Sequence, residues 1–98
     1  MKAIFISYDQ AHHEAVLEVL GHVRQRGYTA WQNVSGRGSV KGEPHEGSHA
    51  WPAMNAAMLT FVEDEARVAS LLERLRALDK DKPALGLRAF VLPVEQAI

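Results

Sequence analysis

The stretch V34-S-G-R-G-S-V-K-G-E-P-H-E-G-S-H-A-W51 is the one long break in the hydrophobic pattern of this 98-residue chain. It holds four of the seven glycines, and between its ends the aliphatic residues are Val40 and Ala50. Glycine adopts unusual backbone angles readily but is costly to order, so such a stretch inside a small domain is either disordered or functional. We interpret it as the working loop of the protein, and the alternative is a connection without a role.

A strand, a helix and a second strand are predicted before the loop. Lys2 to Tyr8 is rich in β-branched and aromatic residues, and Asp9 is suited to cap a following helix. From Gln10 to Arg26 the apolar positions recur at spacings of three and four, which predicts an amphipathic helix that stops at a left-handed Gly27. Tyr28 to Val34 alternates between two faces and is predicted as the strand that enters the loop.

The chain after the loop contains the same kinds of element. Trp51 to Val62 is predicted as a long third strand. Carboxylates at residues 63–65 mark the start of a second helix, which must end before Pro83. Leu87 to Val94 is the last predicted strand. The order strand, helix, strand, strand, helix, strand predicts one ferredoxin-like α+β domain over residues 1–98, with a four-stranded antiparallel sheet and both helices on one face.

The predicted strands are apolar on both faces. In the third strand, Ala56 and Met58 lie on one side and Leu59 and Phe61 on the other. Two helices cover only one face of a four-stranded sheet, so the second face must be covered by other copies of the chain. The pattern therefore predicts a homo-oligomer.

The composition excludes several classes of function. Eleven Lys and Arg against twelve Asp and Glu leave a formal charge of -1, which gives no electrostatic footprint for nucleic acid. Cysteine is absent, so neither a disulfide framework nor a thiolate metal site is available. No apolar run approaches the ~18 residues of a membrane span. We expect a cytoplasmic protein without membrane insertion.

Two segments resemble the P-II family of signalling proteins. The run V34-S-G-R-G-S-V-K-G42 is similar to the start of that family's long T-loop, and G86-L-R-A-F-V-L-P-V-E95 is similar to its last strand. The resemblance implies a trimeric, non-enzymatic regulatory protein that responds to a small ligand. It also implies action through the loop between strands 2 and 3 on a partner such as a membrane transporter. By position, a nucleotide-type cleft is expected at Gly36, Arg37, Gly38, Lys41, Gly86 and Arg88.

The chain also departs from that family's pattern. Ser39 and Val40 stand where the family usually has an arginine and a glutamine that help to hold phosphate, magnesium and 2-oxoglutarate. The second, glycine-rich phosphate loop is reduced to P83-A-L-G86. Each departure removes a contact, so adenine nucleotide is expected to bind weakly and is ranked below a divalent transition metal as the ligand.

A metal-binding or metal-tolerance module is the alternative function. Imidazoles and carboxylates in the loop suit zinc, copper or nickel, and the candidate ligands are His45, His49, Glu43 and Glu46. The competing interpretation is that these are solvated polar groups. His12 and His13 are interpreted as surface residues of the first helical turn. No nucleophile lies beside a base with a third orienting group, so the chain is not predicted to be an enzyme.

Overall fold

The computed structural model of the chain describes residues 1–37, 44–45, 54–83 and 86–98. Helices and strands in these ranges follow the predicted order, with a short helical turn and a small ribbon added. They are β1 (Lys2–Asp9), a 3-10 turn (Gln10–His12), α1 (His13–His22), β2 (Thr29–Val34), β3 (Gly36–Arg37), β4 (Pro44–His45), β5 (Asn55–Val62), α2 (Glu65–Asp81) and β6 (Arg88–Pro93).

The main sheet has the strand order β2-β5-β1-β6, and every neighbouring pair is antiparallel. β1 lies between β5, which pairs with all of Lys2–Asp9, and β6, which pairs with residues 2–7, so that Lys2 faces Val62 on one side and Pro93 on the other. β3 and β4 form a separate two-stranded ribbon in the loop. The sheet order and direction confirm the predicted ferredoxin-like fold.

One hydrophobic core lies between the sheet and the two helices. Alternate residues of β1, Ile4, Ile6 and Tyr8, are fully buried against it, because successive side chains of a strand point to opposite faces. Both helices contribute to the same cluster, which places them on the same face of the sheet. The other buried members are Val16, Leu20, Ala56, Met58, Val62, Val68, Leu71, Leu75 and Leu87.

Side-chain caps fix the start of both helical segments. Asp9 accepts the Ala11 N–H at 2.8 Å and starts the 3-10 turn, as its position after the first strand predicted. Asp64 accepts the Ala66 N–H at 2.9 Å and starts α2. The cap on α2 explains why the acidic run at residues 63–65 coincides with a helix start.

The end of α1 differs from the prediction. The helix ends at His22, and the left-handed residue is Arg24, with φ of 59°, rather than Gly27. The Gln25 N–H donates to the Leu20 carbonyl at 2.9 Å, and the Arg24 N–H donates to the Gly21 carbonyl at 3.1 Å. This is the Schellman pattern, which satisfies the last helical carbonyls and requires a left-handed residue at the position of Arg24. The backbone bonds therefore place the left-handed residue three positions before the glycine.

A buried polar node connects the segment after α1 to β5. Gln25 Nε2 donates to Thr60 Oγ1 at 2.9 Å and to the Phe61 carbonyl at 2.8 Å. The Thr60 hydroxyl donates to the Gly27 carbonyl at 2.6 Å. Thr60 is fully buried and Gln25 is 8% exposed, so the bond between their side chains forms away from water, and the three bonds together hold the entry to β2 against the sheet.

Candidate functional site

The predicted site residues that the structure describes lie at one end of the sheet, where β1 ends. At this end Asp9 faces Asn55 of β5, from which the loop returns, and Ser7 faces Arg88 of β6. Neighbouring strands are about 4.8 Å apart, and Arg88 lies at the level of Ser7, two residues short of the level of Asp9 and Asn55, so the backbones of Arg88 and Asn55 are roughly 12 Å apart. A ligand of modest size can therefore contact both.

The loop root is the place where the chain leaves β2 and returns to β5. It brings Gly36, near the start of the P-II-like motif, beside His45, one of the candidate metal ligands. In the β3–β4 ribbon, Gly36 pairs with His45 and Arg37 pairs with Pro44. A Cβ atom added to Gly36 would lie 3.2 Å from Asn55 Cγ and closer still to its amide nitrogen. A side chain at position 36 would therefore require the Asn55 side chain to move.

Gly86 lies two residues before the last strand, which begins at Arg88. Gly86 has φ of 67°, a left-handed conformation that glycine adopts without strain, and its N–H donates to the Pro83 carbonyl at 3.2 Å. Arg88 is exposed at the first position of β6. It lines a crevice of about 350 Å³ between α2 and β6 that also contains Arg76 and Asp79. Two guanidinium groups and one carboxylate at this crevice favour an anionic ligand.

The remaining residues predicted for the nucleotide-type cleft, Gly38 and Lys41, lie outside the described residues. So do three of the four candidate metal ligands, Glu43, Glu46 and His49. Within the described ranges no group of three or more His, Asp or Glu side chains is placed to hold a metal ion. The metal site in the loop therefore stays a prediction.

A second crevice, of about 530 Å³, lies beside the loop root. Its lining combines the 3-10 turn, the start of α1 and the end of β2, and includes the carboxylates of Asp9 and Glu14 and the amides of Gln10 and Asn33. His13 also lines this crevice. Sequence reasoning did not find it, because its walls come from segments that the alternation and helix patterns treat separately.

The histidines of the first helical turn are placed differently from the prediction. His12 is only 4% exposed rather than on the surface, because the 3-10 turn directs it inward. His13 is partly buried, and its Nδ1 shares a hydrogen bond of 2.8 Å with the Tyr8 hydroxyl, with the two rings stacked. Burial, with a smaller contribution from Tyr28, raises the pKa of Tyr8 to about 12. The Tyr8 phenol is therefore protonated at neutral pH.

The sheet face opposite the helices is apolar, and we call it the open face. On this face Phe5 of β1 lies between Leu59 of β5 and Phe90 of β6. In the same way, Ala3 lies between Phe61 and Leu92. Four of its large side chains are about half exposed: Trp31 (47%), Phe61 (50%), Phe90 (55%) and Leu92 (50%). This confirms that the strands are apolar on both sides, and contiguous apolar surface of this kind marks an interaction site.

None of the helices in the described part of the chain is both long enough and apolar enough to cross a membrane.

Comparisons with known proteins place these features in a family context. The family model of nitrogen regulatory protein P-II matches residues 1–98. A comparison with curated proteins finds no match.

Solved structures of CPII, a nitrogen regulatory PII-like protein from Thiomonas intermedia K12, are similar to the chain. The form bound to ADP and bicarbonate is 28% identical, with a TM-score of 0.73, over 92% of this chain and 81% of that one. A form bound to ADP, AMP and bicarbonate is 25% identical, with a TM-score of 0.76, over 98% and 93%. The apo form, at 23% identity and a TM-score of 0.68 over 92% and 84%, shows the shared fold alone.

Proposed function

Because this chain belongs to the nitrogen regulatory protein P-II family, we propose that it is a non-enzymatic signalling protein that binds an adenine nucleotide and reports it through its glycine-rich loop. The nucleotide lies at the end of the sheet where β1 stops, between the loop root and Arg88. A small anion such as bicarbonate is the second ligand. The ligand state then changes how the loop engages a protein partner, such as a membrane transporter.

The observation that carries this proposal is the placement of Gly36 and Arg88 at the same end of the sheet. Gly36 lets the loop backbone come close, and the exposed Arg88 supplies charge for phosphate. CPII, which is 28% identical to this chain, holds ADP and bicarbonate. Together these points reverse the ranking reached from the sequence, in which a transition metal stood above adenine nucleotide.

Calorimetric titration with ADP, AMP and bicarbonate tests the proposal. A charge-assisted hydrogen bond contributes about 1.5–3 kcal/mol, so Arg88→Ala should weaken ADP binding at least about tenfold. Arg74→Ala is the matched control, because it removes the same charge from an exposed position on α2. The proposal is contradicted if the wild-type protein shows no heat of binding with millimolar ADP. It is also contradicted if Arg88→Ala and Arg74→Ala bind ADP with equal affinities.

The open face supports self-association, and we propose that the copies form a trimer, as the family resemblance implies. A monomer would leave Trp31, Phe61, Phe90 and Leu92 in water at about half exposure. Burial of apolar surface contributes roughly 25 cal/mol per Å², so covering these four large side chains favours assembly strongly. Light scattering after size-exclusion chromatography measures the mass, and a monomer at micromolar concentration would refute the assignment.

The role of the loop in partner binding is tested separately from the ligand. Replacing residues 38–53 by a short Gly-Ser linker removes the loop but keeps the four strands of the main sheet and both helices. Binding to a candidate transporter should be lost in this variant and should depend on ADP in the wild type. Equal binding by both proteins would show that the loop is not the contact surface.

A further inference from the structure

A β-bulge in β2 shapes the entry to the loop. β2 and β5 pair Trp31 with Ala57 and Val34 with Asn55, so β2 has one more residue than β5 between these pairs. Asn33 lies in the bulge and has φ of 56°. A bulge leaves one residue out of the ladder, bends its strand and increases the local twist. The direction in which the chain enters the loop therefore depends on how this bulge is held.

Gln10 contacts both sides of the loop at this point. Its backbone N–H donates to the Met54 carbonyl at 3.0 Å, just before β5 begins. Its side-chain oxygen Oε1 accepts the Asn33 N–H at 3.2 Å. The second bond satisfies a donor in the segment where the bulge interrupts the β2–β5 ladder. One residue of the turn after β1 thus ties the chain that enters the loop to the chain that leaves it.

The backbone of Gln10 is itself fixed. The preceding residue, Asp9, pairs with Asn55 and accepts the Ala11 N–H at 2.8 Å, which holds the 3-10 turn in place. The Gln10 side chain therefore starts from a rigid position. Gln10 and Asn33 both line the crevice of about 530 Å³, so a group that enters the crevice meets the bond between them.

We propose that Gln10 is a positioning residue for the loop: its side-chain bond to the bulged Asn33 N–H selects the direction in which the chain enters the loop. Removing the bond leaves the sheet paired and frees the bulge to adopt other angles. The effect on loop entry follows from the contacts of Gln10 alone, and its consequence for signalling rests on the proposed function.

Site-resolved amide exchange tests the bond in the full chain. A net hydrogen bond contributes about 0.5–1.5 kcal/mol, so Gln10→Ala should speed exchange of the Asn33 amide by roughly 2- to 12-fold. The Ile6 amide, in the middle of β1, should exchange at the wild-type rate. Gln10→Glu keeps an accepting oxygen and should restore protection at Asn33. The control is Gln32→Ala, which removes an exposed amide from the same bulge and should leave Asn33 unchanged.

Cleavage of the loop by trypsin gives a second readout that a purely structural role would not change. Native Gln10→Ala protein should be cut after Arg37 and Lys41 several-fold faster than wild type, at an unchanged unfolding temperature. If the Asn33 amide of Gln10→Ala exchanges at the wild-type rate, the proposal is wrong. It is also wrong if amide exchange is accelerated equally at Asn33 and Ile6. Failure of ADP to bind the wild type would refute the proposed function only, because neither readout uses ADP.

Discussion

Replacing Thr60 by valine removes one hydroxyl group from the buried polar node and keeps the side-chain volume. The hydroxyl accepts from Gln25 Nε2 at 2.9 Å and donates to the Gly27 carbonyl at 2.6 Å. Gln25 keeps its bonds to the Phe61 carbonyl at 2.8 Å and to the Gly27 carbonyl at 3.4 Å, so the change removes the two hydrogen bonds of the Thr60 hydroxyl. A hydrogen bond contributes about 0.5–1.5 kcal/mol net, so the loss of both corresponds to about 1–3 kcal/mol. We expect Thr60→Val to lower the free energy of unfolding by about that amount.

Urea denaturation at a fixed protein concentration measures this loss, and the concentration must be matched because self-association contributes to stability. For a domain of this size each kcal/mol corresponds to about 4–8 °C in unfolding temperature. Ser70→Ala removes a hydroxyl from an exposed position on α2 and should stay within about 0.5 kcal/mol of wild type. A Thr60→Val protein as stable as wild type would show that the node contributes no net stability.

Four further changes test separate features. Phe90→Asp places a charge on the open face and should shift the protein to smaller species in light scattering, whereas an assembly of unchanged mass would exclude this face from the interface. Arg24→Gly replaces a left-handed non-glycine residue and should raise the unfolding temperature by a few degrees, since that conformation costs an L-residue roughly 1–2 kcal/mol. Tyr8→Phe removes a phenol whose pKa burial raises to about 12. This pKa lies above the value of about 10 in the unfolded chain. The contribution of the phenol to stability is therefore complete below pH ~10 and is lost as pH rises through 12. Denaturation at pH 9 and 11.5 should show a smaller alkaline loss of stability in Tyr8→Phe than in the wild type. If the loop binds zinc, the His45→Ala, His49→Ala double variant should lose the calorimetric signal, and equal affinities would place the metal elsewhere.

The elements that the sequence predicted well are those whose pattern is local. Ile4, Ile6 and Tyr8 alternate along β1, and every second residue faces the helices, as the period of a strand requires. Val68, Leu71 and Leu75 follow helical spacing, and all three are buried in α2. The apolar residues left over on the other face predicted the open face, because two helices cannot cover both sides of a sheet.

The details that the sequence did not predict depend on contacts between distant segments. Alternation placed Asn33 on the same face as Thr29 and Trp31, but the bulge moves Val34 into register opposite Asn55 instead. Arg24 ends the helix because of backbone hydrogen bonds, and no residue preference predicts an arginine there. His12 is buried because the first turn is 3-10 rather than α-helical. The crevice beside the loop root needs three segments in place before it exists.

The central position of β1 has a consequence for how the chain reaches its native state. β1 is synthesised before the other strands of the sheet, yet its partners are β5 and β6, and the pair Lys2–Pro93 joins residues far apart in sequence. Contacts so far apart in sequence slow folding, because a long loop must close before any of them contributes. Until β6 leaves the ribosome, one edge of an apolar strand has no partner within its own chain. We expect newly made chains to aggregate more readily than folded ones, and a chaperone that covers this edge to raise the yield.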